Sequence, residues 1–307
     1  MRSLQLGFES RRARQYKRKP FQSSCVEKGV KLVFSEKCLE YGSPYHLENP
    51  RRLKKAYEIL KELGYEFVEP KPASEEDLLL VHSKRYIDII KSGKFFDPDT
   101  PAYPNIYEYA RLAVGGAIKA SEIQGFSLMR PPGHHAGRNG LALGAPTLGF
   151  CYFNNIAVAV KKLGLSTLIV DIDGHHGNGT QEIFMGDPKV RFLSLHRMGI
   201  YPGTGWDSGP NFVNIPLDEV GDEGYLRCLE KGLRKVRAEE CEVIGISAGF
   251  DSHAGDLSSL GLTPEGFRRI GKKLAEYGKP IFGVLEGGYV GENLARSLHA
   301  LIEGLED

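Results

Sequence analysis

The chain has 307 residues, and 41% of them are apolar, which is enough to form one large or two small packed domains. Its 40 basic and 39 acidic residues give a formal net charge of +1, and this mixture excludes a collagenous, low-complexity or globally disordered chain. No apolar run approaches the roughly 18 residues of a membrane span, and the amino terminus lacks the apolar core of a secretory signal. The five cysteines include no Cys-x-x-Cys pair, so we expect neither a disulfide framework nor a thiolate zinc site, and we expect a cytoplasmic protein.

Charge is distributed unevenly along the chain. Residues 1–29 hold eight Lys or Arg residues against two Glu residues, so residues 30–307 carry a net charge of −5. The basic block at 11–19 could touch nucleic acid, but such blocks are more often solvated tails. We therefore expect a disordered basic tail over 1–29, a folded domain over 30–307, and no nucleic-acid partner.

Predicted strands and helices alternate from residue 30 onward. Apolar runs predict strands at 31–35, 66–69, 126–129, 167–173, 190–196, 213–217, 243–249 and 281–286. Helical periodicity and capping residues predict helices at 50–63, 74–81, 84–91, 107–123, 154–163, 224–238, 264–277 and 292–305. The strands at 167, 243 and 281 show no polar alternation, which is typical of strands covered on both faces. The fold class expected is therefore α/β, a single domain with a mainly parallel sheet of about eight strands flanked by helices.

Glycine-rich turns that carry His, Asp or Tyr follow four of the predicted strands, at 130–135, 171–179, 249–256 and 286–289. Ligands of open α/β sheets bind beyond the carboxyl ends of the strands, so these turns should meet at one edge. Two turns contain a tandem histidine pair, and burying so many imidazoles without partners would cost several kcal/mol. The sequence therefore favours a functional cluster over ordinary packing.

The turn after the 167 strand has the spacing of a metal site. Alternate residues of an extended segment point the same way, which places Asp171, Asp173 and His175 on one side. Two of these three could ligate a metal while the third contacts the ligands without binding the metal, and Asp251 could supply another carboxylate. Nitrogen and oxygen donors without thiolates suit Zn²⁺, and Fe²⁺ or Co²⁺ could replace it.

Several motifs together resemble the histone deacetylase and acetylpolyamine amidohydrolase family, with the match closest to its class II-like branch. They lie at 130–135, 149–155, 171–180, 194–196, 201–205, 249–256 and 285–289, in order over roughly residues 31–305. The resemblance implies the arginase/deacetylase fold and a catalytic domain over 30–307. It also implies a zinc-dependent amidohydrolase that removes the acetyl group from N-acetyl-lysine side chains, acetylated polyamines or other small amines.

The resemblance also implies roles for the residues of the metal and proton-transfer site. The implied zinc ligands are Asp173, His175 and Asp251. His134 and His135 would be the tandem active-site histidines, with His135 acting as general base and then general acid. Asp171 would orient His134. Asn178 would orient His135, and Tyr289 would donate a hydrogen bond to the substrate carbonyl.

Further roles implied by the resemblance concern the substrate and a second cation. Gly149 would accept a hydrogen bond from the substrate amide through its carbonyl, and Phe150 and Tyr201 would line a tunnel around an aliphatic stem. Asp99 resembles a rim aspartate that holds the substrate backbone. A structural K⁺ is implied, with ligands from Asp171, Asp173, His175, Ser194 and Leu195.

Two other functions are compatible with parts of the pattern. A ureohydrolase of arginase type would bind two manganese ions through additional bridging aspartates, whereas the 249–253 segment lacks the second carboxylate at that spacing. A non-catalytic binding protein on the same fold would be expected to lose a ligand or the tyrosine. The 137–148 segment is longer than in most of the family, and we expect it to form a flap beside the pocket. The substrate, the native metal and the oligomeric state are left open.

Overall fold

The computed structural model describes residues 29–307, so the predicted basic tail lies outside the described part of the chain except for Gly29. Eight strands form one sheet, in the order β2-β1-β3-β8-β7-β4-β5-β6. They are β1 Leu32–Val33, β2 Phe67–Val68, β3 Phe126–Ser127, β4 Thr167–Asp171, β5 Val190–Arg197, β6 Phe212–Leu217, β7 Val243–Ala248 and β8 Ile281–Leu285. Every pairing is parallel, which confirms the predicted α/β class and single sheet.

Nine α-helices connect and cover the strands in the part of the chain that is described. They are α1 Pro50–Glu62, α2 Glu75–Leu78, α3 Lys84–Ser92, α4 Ile106–Ile123, α5 Asn155–Leu163, α6 Asn178–Phe184, α7 Gly221–Val236, α8 Pro264–Ala275 and α9 Gly291–Glu306. Short 3₁₀ turns occupy Glu36–Leu39 and Ala238–Glu240. None of these helices is both long enough and apolar enough to cross a membrane.

The start of α8 follows the capping chemistry that the sequence indicated. The Thr263 side chain accepts a hydrogen bond from Gly266 N, and Pro264 occupies the first turn of α8. All eight predicted helices are present, but α6 was not predicted. Its seven residues include a glycine, another glycine precedes it, and no side chain caps its amino terminus, so propensity gave no signal.

The core lies on both faces of the sheet. In β4, Leu168 and Val170 pack into one apolar cluster, while Ile169 between them packs into the other. The first cluster includes side chains of α1, α7, α8 and α9, and the second includes side chains of α3, α4 and α5. Burial on both faces explains the continuous apolar sequence of the central strands.

Candidate metal centre and active site

The central strands bring the functional turns to one edge of the sheet. β3, β8, β7 and β4 are neighbours in that order and run parallel, so the turns that follow them leave from the same edge. These turns carry the tandem histidines, Tyr289, Asp251 and the Asp173–His175 segment respectively. The expected meeting of four strand ends is therefore confirmed.

Asp173, His175 and Asp251 form a buried group with one ligand atom of each within 4.8 Å of the others. The Nδ1 atom of His175 lies 3.2 Å from Asp173 Oδ1 and 2.8 Å from Asp251 Oδ2. Backbone amides hold both carboxylates: Gly287 N donates to Asp173 Oδ2 at 2.8 Å, and Gly174 N donates to Asp251 Oδ1 at 2.9 Å. The group is therefore preorganised for an ion.

The donor set fits a divalent metal. Asp251 Oδ2 is buried and accepts no well-aligned hydrogen bond, which would be costly without a cation. Burial lowers the pKa of His175, but the carboxylates of Asp251 and Asp173 outweigh burial and raise it to about 10. A Cβ on residue 287 would lie 2.6 Å from an oxygen of each carboxylate, so only glycine leaves this space open.

The tandem histidines have different partners. His134 Nδ1 lies 3.0 Å from Asp171 Oδ2, and His135 Nδ1 lies 2.7 Å from Asn178 Oδ1. The Asn178 amide also donates through Nδ2 to Ala142 O at 2.9 Å, which fixes Oδ1 as the acceptor. His135 therefore carries its hydrogen on Nδ1 and keeps Nε2 as an acceptor.

The surroundings of the two imidazoles shift their pKa values in opposite directions. Burial lowers the pKa of His134, but the negative charges of Asp171, Asp173 and Glu286 together outweigh burial and raise it to about 10. Burial lowers the pKa of His135 well below its usual value, and the positive charges of His134 and His175 lower it further. The pKa values of the two imidazoles are thus shifted in opposite directions, although their ring centroids lie only 4.0 Å apart.

Glu286 joins the histidine turn to the sheet, a role that was not predicted. Its Oε2 accepts hydrogen bonds from Gly133 N at 2.7 Å and from His134 N at 3.1 Å. Its Oε1 accepts from the Ser247 hydroxyl at 3.0 Å. Burial raises the pKa of Glu286 to about 7. The residue lies three positions before Tyr289, so it links the histidine turn to the turn that carries Tyr289.

A buried ion cluster of Glu48, Arg52 and Arg130 supports the same region. Arg130 donates to Glu48 Oε2 at 2.6 Å, and Arg52 lies 3.1 Å from Glu48 Oε1. Arg52 also donates to Gly288 O at 2.9 Å and to Glu286 O at 3.1 Å. Burial would raise the pKa of Glu48, but the two guanidinium groups outweigh burial and hold it below its usual value. The cluster therefore fixes the backbone directly before Tyr289.

The Tyr289 turn is held on its other side by Asp256, which sequence reasoning did not single out. Tyr289 N and Val290 N each donate to Asp256 Oδ2 at 3.1 Å, and Leu257 N donates to Oδ1 at 2.7 Å. Burial and the charges of Asp251 and Asp173 raise the pKa of Tyr289 well above its usual value, so the phenol stays protonated.

The predicted wall residues surround Gly149. A Cβ on residue 149 would lie 2.5 Å from His135 Cδ2 and 2.6 Å from the Tyr201 hydroxyl, and the residue has φ of +54°. Phe150 and Tyr289 pack edge to face with ring centroids 6.0 Å apart. Both oxygens of Asp99 are engaged within the wall, because Oδ1 accepts from Gly149 N and Oδ2 from the Thr147 hydroxyl. Substrate binding by Asp99 stays a prediction.

The residues predicted to bind K⁺ are placed together by strand register. Asp171 pairs with Ser194 across β4 and β5, and Leu195 follows Ser194 in β5. The Ser194 hydroxyl lies 2.9 Å from His196 Nδ1. The K⁺ site itself stays a prediction.

The arrangement defines a candidate metal-dependent acid–base site at the carboxyl edge of a parallel sheet. The model of the histone deacetylase domain matches residues 46–305, and the chain therefore belongs to the histone deacetylase family of hydrolases.

Named relatives and a solved structure agree with this membership. A probable deacetylase of Archaeoglobus fulgidus is 38% identical over 84% of this chain and 80% of its own length. The polyamine deacetylase HDAC10 of Mus musculus is 35% identical over 84% of this chain and 45% of its own length. The crystal structure of the HDA15 HD domain matches with a TM-score of 0.80 and 33% identity, over 90% of each chain.

Proposed function

We propose that this protein is a zinc-dependent deacetylase that hydrolyses the acetyl amide of N-acetyl-lysine side chains or of acetylated polyamines and small amines. The observation that carries the proposal is the buried group of Asp173, His175 and Asp251, with the tandem histidines packed beside it. Family membership and the names of the relatives support the same chemistry. A cytoplasmic location stays a prediction from cysteine usage.

The proton-transfer steps are assigned to the tandem histidines. Zinc, when bound by Asp173, His175 and Asp251, would supply a Lewis acid that polarises the amide carbonyl and lowers the pKa of water to about 7. His135 Nε2 takes the proton of the attacking water and later delivers it to the leaving amine nitrogen. His134, oriented by Asp171, stabilises the negative charge that develops beside it.

The oxyanion is assigned to the Tyr289 turn, and the aliphatic stem of the substrate to the residues around Gly149. The Tyr289 hydroxyl donates a hydrogen bond to the carbonyl oxygen as negative charge accumulates there. The Gly149 carbonyl accepts from the substrate N–H, while Phe150 and Tyr201 enclose the aliphatic stem. Asp171, Ser194 and the carbonyls of Asp173, His175 and Leu195 are proposed to hold a structural K⁺.

The two alternative functions have less support. Within residues 29–307 a single group of three metal-binding side chains is found, and this favours one metal over the two of an arginase. The ligand, base and oxyanion positions are all occupied by competent residues, which favours turnover over a purely binding role.

Acetate release by the purified full chain tests the proposal, with acetyl-lysine peptides and acetylated polyamines as substrates. We expect turnover with Zn²⁺, a roughly 10²–10⁴-fold loss in His135→Ala, and a loss of about 10²–10³-fold in Tyr289→Phe. His299→Ala on α9 is the control and should keep full activity. Reconstitution with Fe²⁺ in parallel would identify the more active metal. A folded protein with one bound zinc and no acetate release would refute the proposal.

A further inference from the structure

The loop between β5 and β6 has little regular structure. We call its residues, 198–211, the wall loop, because they include the wall residue Tyr201. Residues 203–209 lie in neither a helix nor a strand. Residues 204–208 make no hydrogen bond to another backbone group within the described part of the chain. A segment with so few backbone hydrogen bonds opens easily, so its order depends on side-chain contacts.

The position of the wall loop determines the position of the Tyr201 ring. That ring packs edge to face against His135 and His175, at centroid distances of 4.9 and 6.1 Å. Its hydroxyl donates to Thr147 O at 2.9 Å. Because Tyr201 is proposed to enclose the substrate stem, a displaced wall loop would weaken the contacts with the stem.

A buried imidazole, that of His176, holds the middle of the wall loop. Its Nδ1 lies 2.8 Å from the Thr204 hydroxyl, and its Nε2 lies 2.9 Å from Gln181 Oε1. The same Gln181 oxygen accepts from Asn214 Nδ2 at 2.7 Å, so it is an acceptor and His176 Nε2 carries the hydrogen. His176 Nδ1 is therefore an acceptor, and the Thr204 hydroxyl donates to it.

The same polar group holds the end of the wall loop. Asn214 in β6 also donates through Nδ2 to Asp207 O at 2.7 Å, which fixes the orientation of its amide. Its backbone N donates to the Ser208 hydroxyl at 3.1 Å. Gly205 has φ of +86°, and a Cβ there would lie 2.7 Å from His176 Cγ, so the loop backbone rests directly on the imidazole. The loop is thus fastened at several points to one buried group.

His176 also belongs to the turn that carries a proposed metal ligand. It follows His175 directly, and its carbonyl accepts a hydrogen bond from Asn178 N at 2.8 Å. Asn178 Oδ1 is in turn the acceptor for His135 Nδ1. His176 therefore lies where the metal ligand, the proposed base and the wall loop meet, and none of the proposed chemical steps uses its side chain.

We propose that His176 is a positioning residue that places the wall loop against the substrate stem through the hydrogen bond from Thr204. The inference rests on the proposed deacetylase function and adds a residue that governs stem binding. Removing the Thr204 hydroxyl would leave the buried Nδ1 atom of His176 without a donor, whereas displacement of the loop would let water reach it. The ordered loop would therefore be disfavoured relative to the displaced one.

Thr204→Val in the full chain tests the assignment, because valine keeps the shape of threonine and removes only the hydroxyl. With an acetyl-lysine peptide as substrate, we expect KM to rise by up to about tenfold, which corresponds to about 1.4 kcal/mol. The value of kcat should change little, because the metal group and the tandem histidines are held by contacts outside the wall loop. Thr204→Ser keeps the donor and should restore KM.

Trp206 gives a readout that requires no turnover. It is the only tryptophan of the chain, it lies two residues after Thr204, and its side chain is 54% exposed. Its Nε1 donates to Gly203 O at 3.2 Å, within the wall loop. In Thr204→Val without substrate, the fluorescence anisotropy of Trp206 should fall and its quenching by acrylamide should rise. Thr204→Ser should match the parent protein in both signals.

Thr167→Val is the matched control. Thr167 begins β4, at the end of the strand opposite the site, and its hydroxyl donates to Leu165 O at 3.0 Å. This variant removes a hydrogen bond of similar length from a threonine hydroxyl, and it should leave KM and the Trp206 signals unchanged.

The outcomes separate the wall loop from the chemistry. An unchanged KM in folded Thr204→Val would overturn the positioning role alone, and so would an equal rise of KM in Thr204→Ser. A fall in kcat with unchanged KM would overturn it in favour of an effect on the metal turn. No acetate release by the folded, zinc-loaded parent would refute the deacetylase proposal and the role in stem binding, while the Trp206 signals would still show whether Thr204 holds the loop.

Discussion

Replacing Asp256 with alanine should impair catalysis by releasing the turn that carries Tyr289. The carboxylate accepts three backbone hydrogen bonds, from Leu257 N at 2.7 Å and from Tyr289 N and Val290 N at 3.1 Å. Hydrogen bonds to a charged group contribute about 1.5–3 kcal/mol each. Asp256 is only partly buried, so in the variant water forms hydrogen bonds with the freed amides and replaces much of this free energy. We take the cost of restoring the active turn to be the value of one such bond.

A cost of about 1.5–3 kcal/mol corresponds to a fall in kcat of about 10- to 160-fold. This stays within the limit of about 10²–10³-fold for removal of an oxyanion donor. KM should change little, because the proposed contacts with the substrate stem lie on Phe150 and Tyr201. Asp256→Asn keeps one acceptor oxygen and should lose less, and Asp218→Ala on an exposed turn is the control.

The decisive assay is a double-mutant cycle with Tyr289→Phe. If Asp256 acts by positioning the phenol, Asp256→Ala should cost almost nothing once the hydroxyl is absent. Equal losses of kcat in both backgrounds would refute the positioning role and indicate a general structural effect. An unchanged kcat in Asp256→Ala alone would refute it as well.

Three further predictions concern stability and the wall. Glu48→Ala leaves two guanidinium groups buried without their partner and should lower the free energy of unfolding by about 3–5 kcal/mol in urea titrations, whereas exposed Glu58→Ala should change it little. His82 is buried and its pKa is lowered to about 4, because burial disfavours its charged form. The neutral side chain therefore contributes fully to stability above about pH 6.5, and the free energy of unfolding should fall by up to about 3 kcal/mol as the pH falls toward 4. If the urea midpoint of His82→Gln falls as much over the same pH range, this reasoning is wrong. Gly149→Ala places a methyl group 2.5 Å from the imidazole of the proposed base. It should lower kcat/KM at least about 100-fold, whereas Gly144→Ala, with no neighbouring atom within 4 Å of its Cβ, should stay active.

The sequence predicted the strands and the site residues because both leave local signals. Short apolar runs predicted all eight strands, and the parallel sheet then brought the turns after β3, β4, β7 and β8 together. Residue types and spacing left two of Asp171, Asp173 and His175 as candidate ligands beside Asp251, and the resemblance to the family then implied Asp173, His175 and Asp251.

The supporting residues could not be read from the sequence, because their surroundings are made by tertiary structure. Arg52 lies among Arg51, Lys54 and Lys55 and looks like part of a solvated helix face, yet its side chain is buried. Glu286 and Asp256 each bind backbone amides, which any segment carries and no motif specifies. Their partners became visible only when the turns were placed in space.

The Asn178 amide connects the flap at 137–148 to His135, the proposed base, by one hydrogen bond to each. One end of this amide sets the hydrogen on His135, and the other holds Ala142 within the 137–148 segment. The Tyr201 hydroxyl ties the same segment at Thr147 O, so both halves of the flap are fastened to groups of the active site. A grafted flap that places no carbonyl at the position of Ala142 O would release the amide that orients His135, the proposed base, as well as change the entrance. Loop exchanges in this chain should therefore change substrate range and turnover rate together whenever they remove these two carbonyl acceptors.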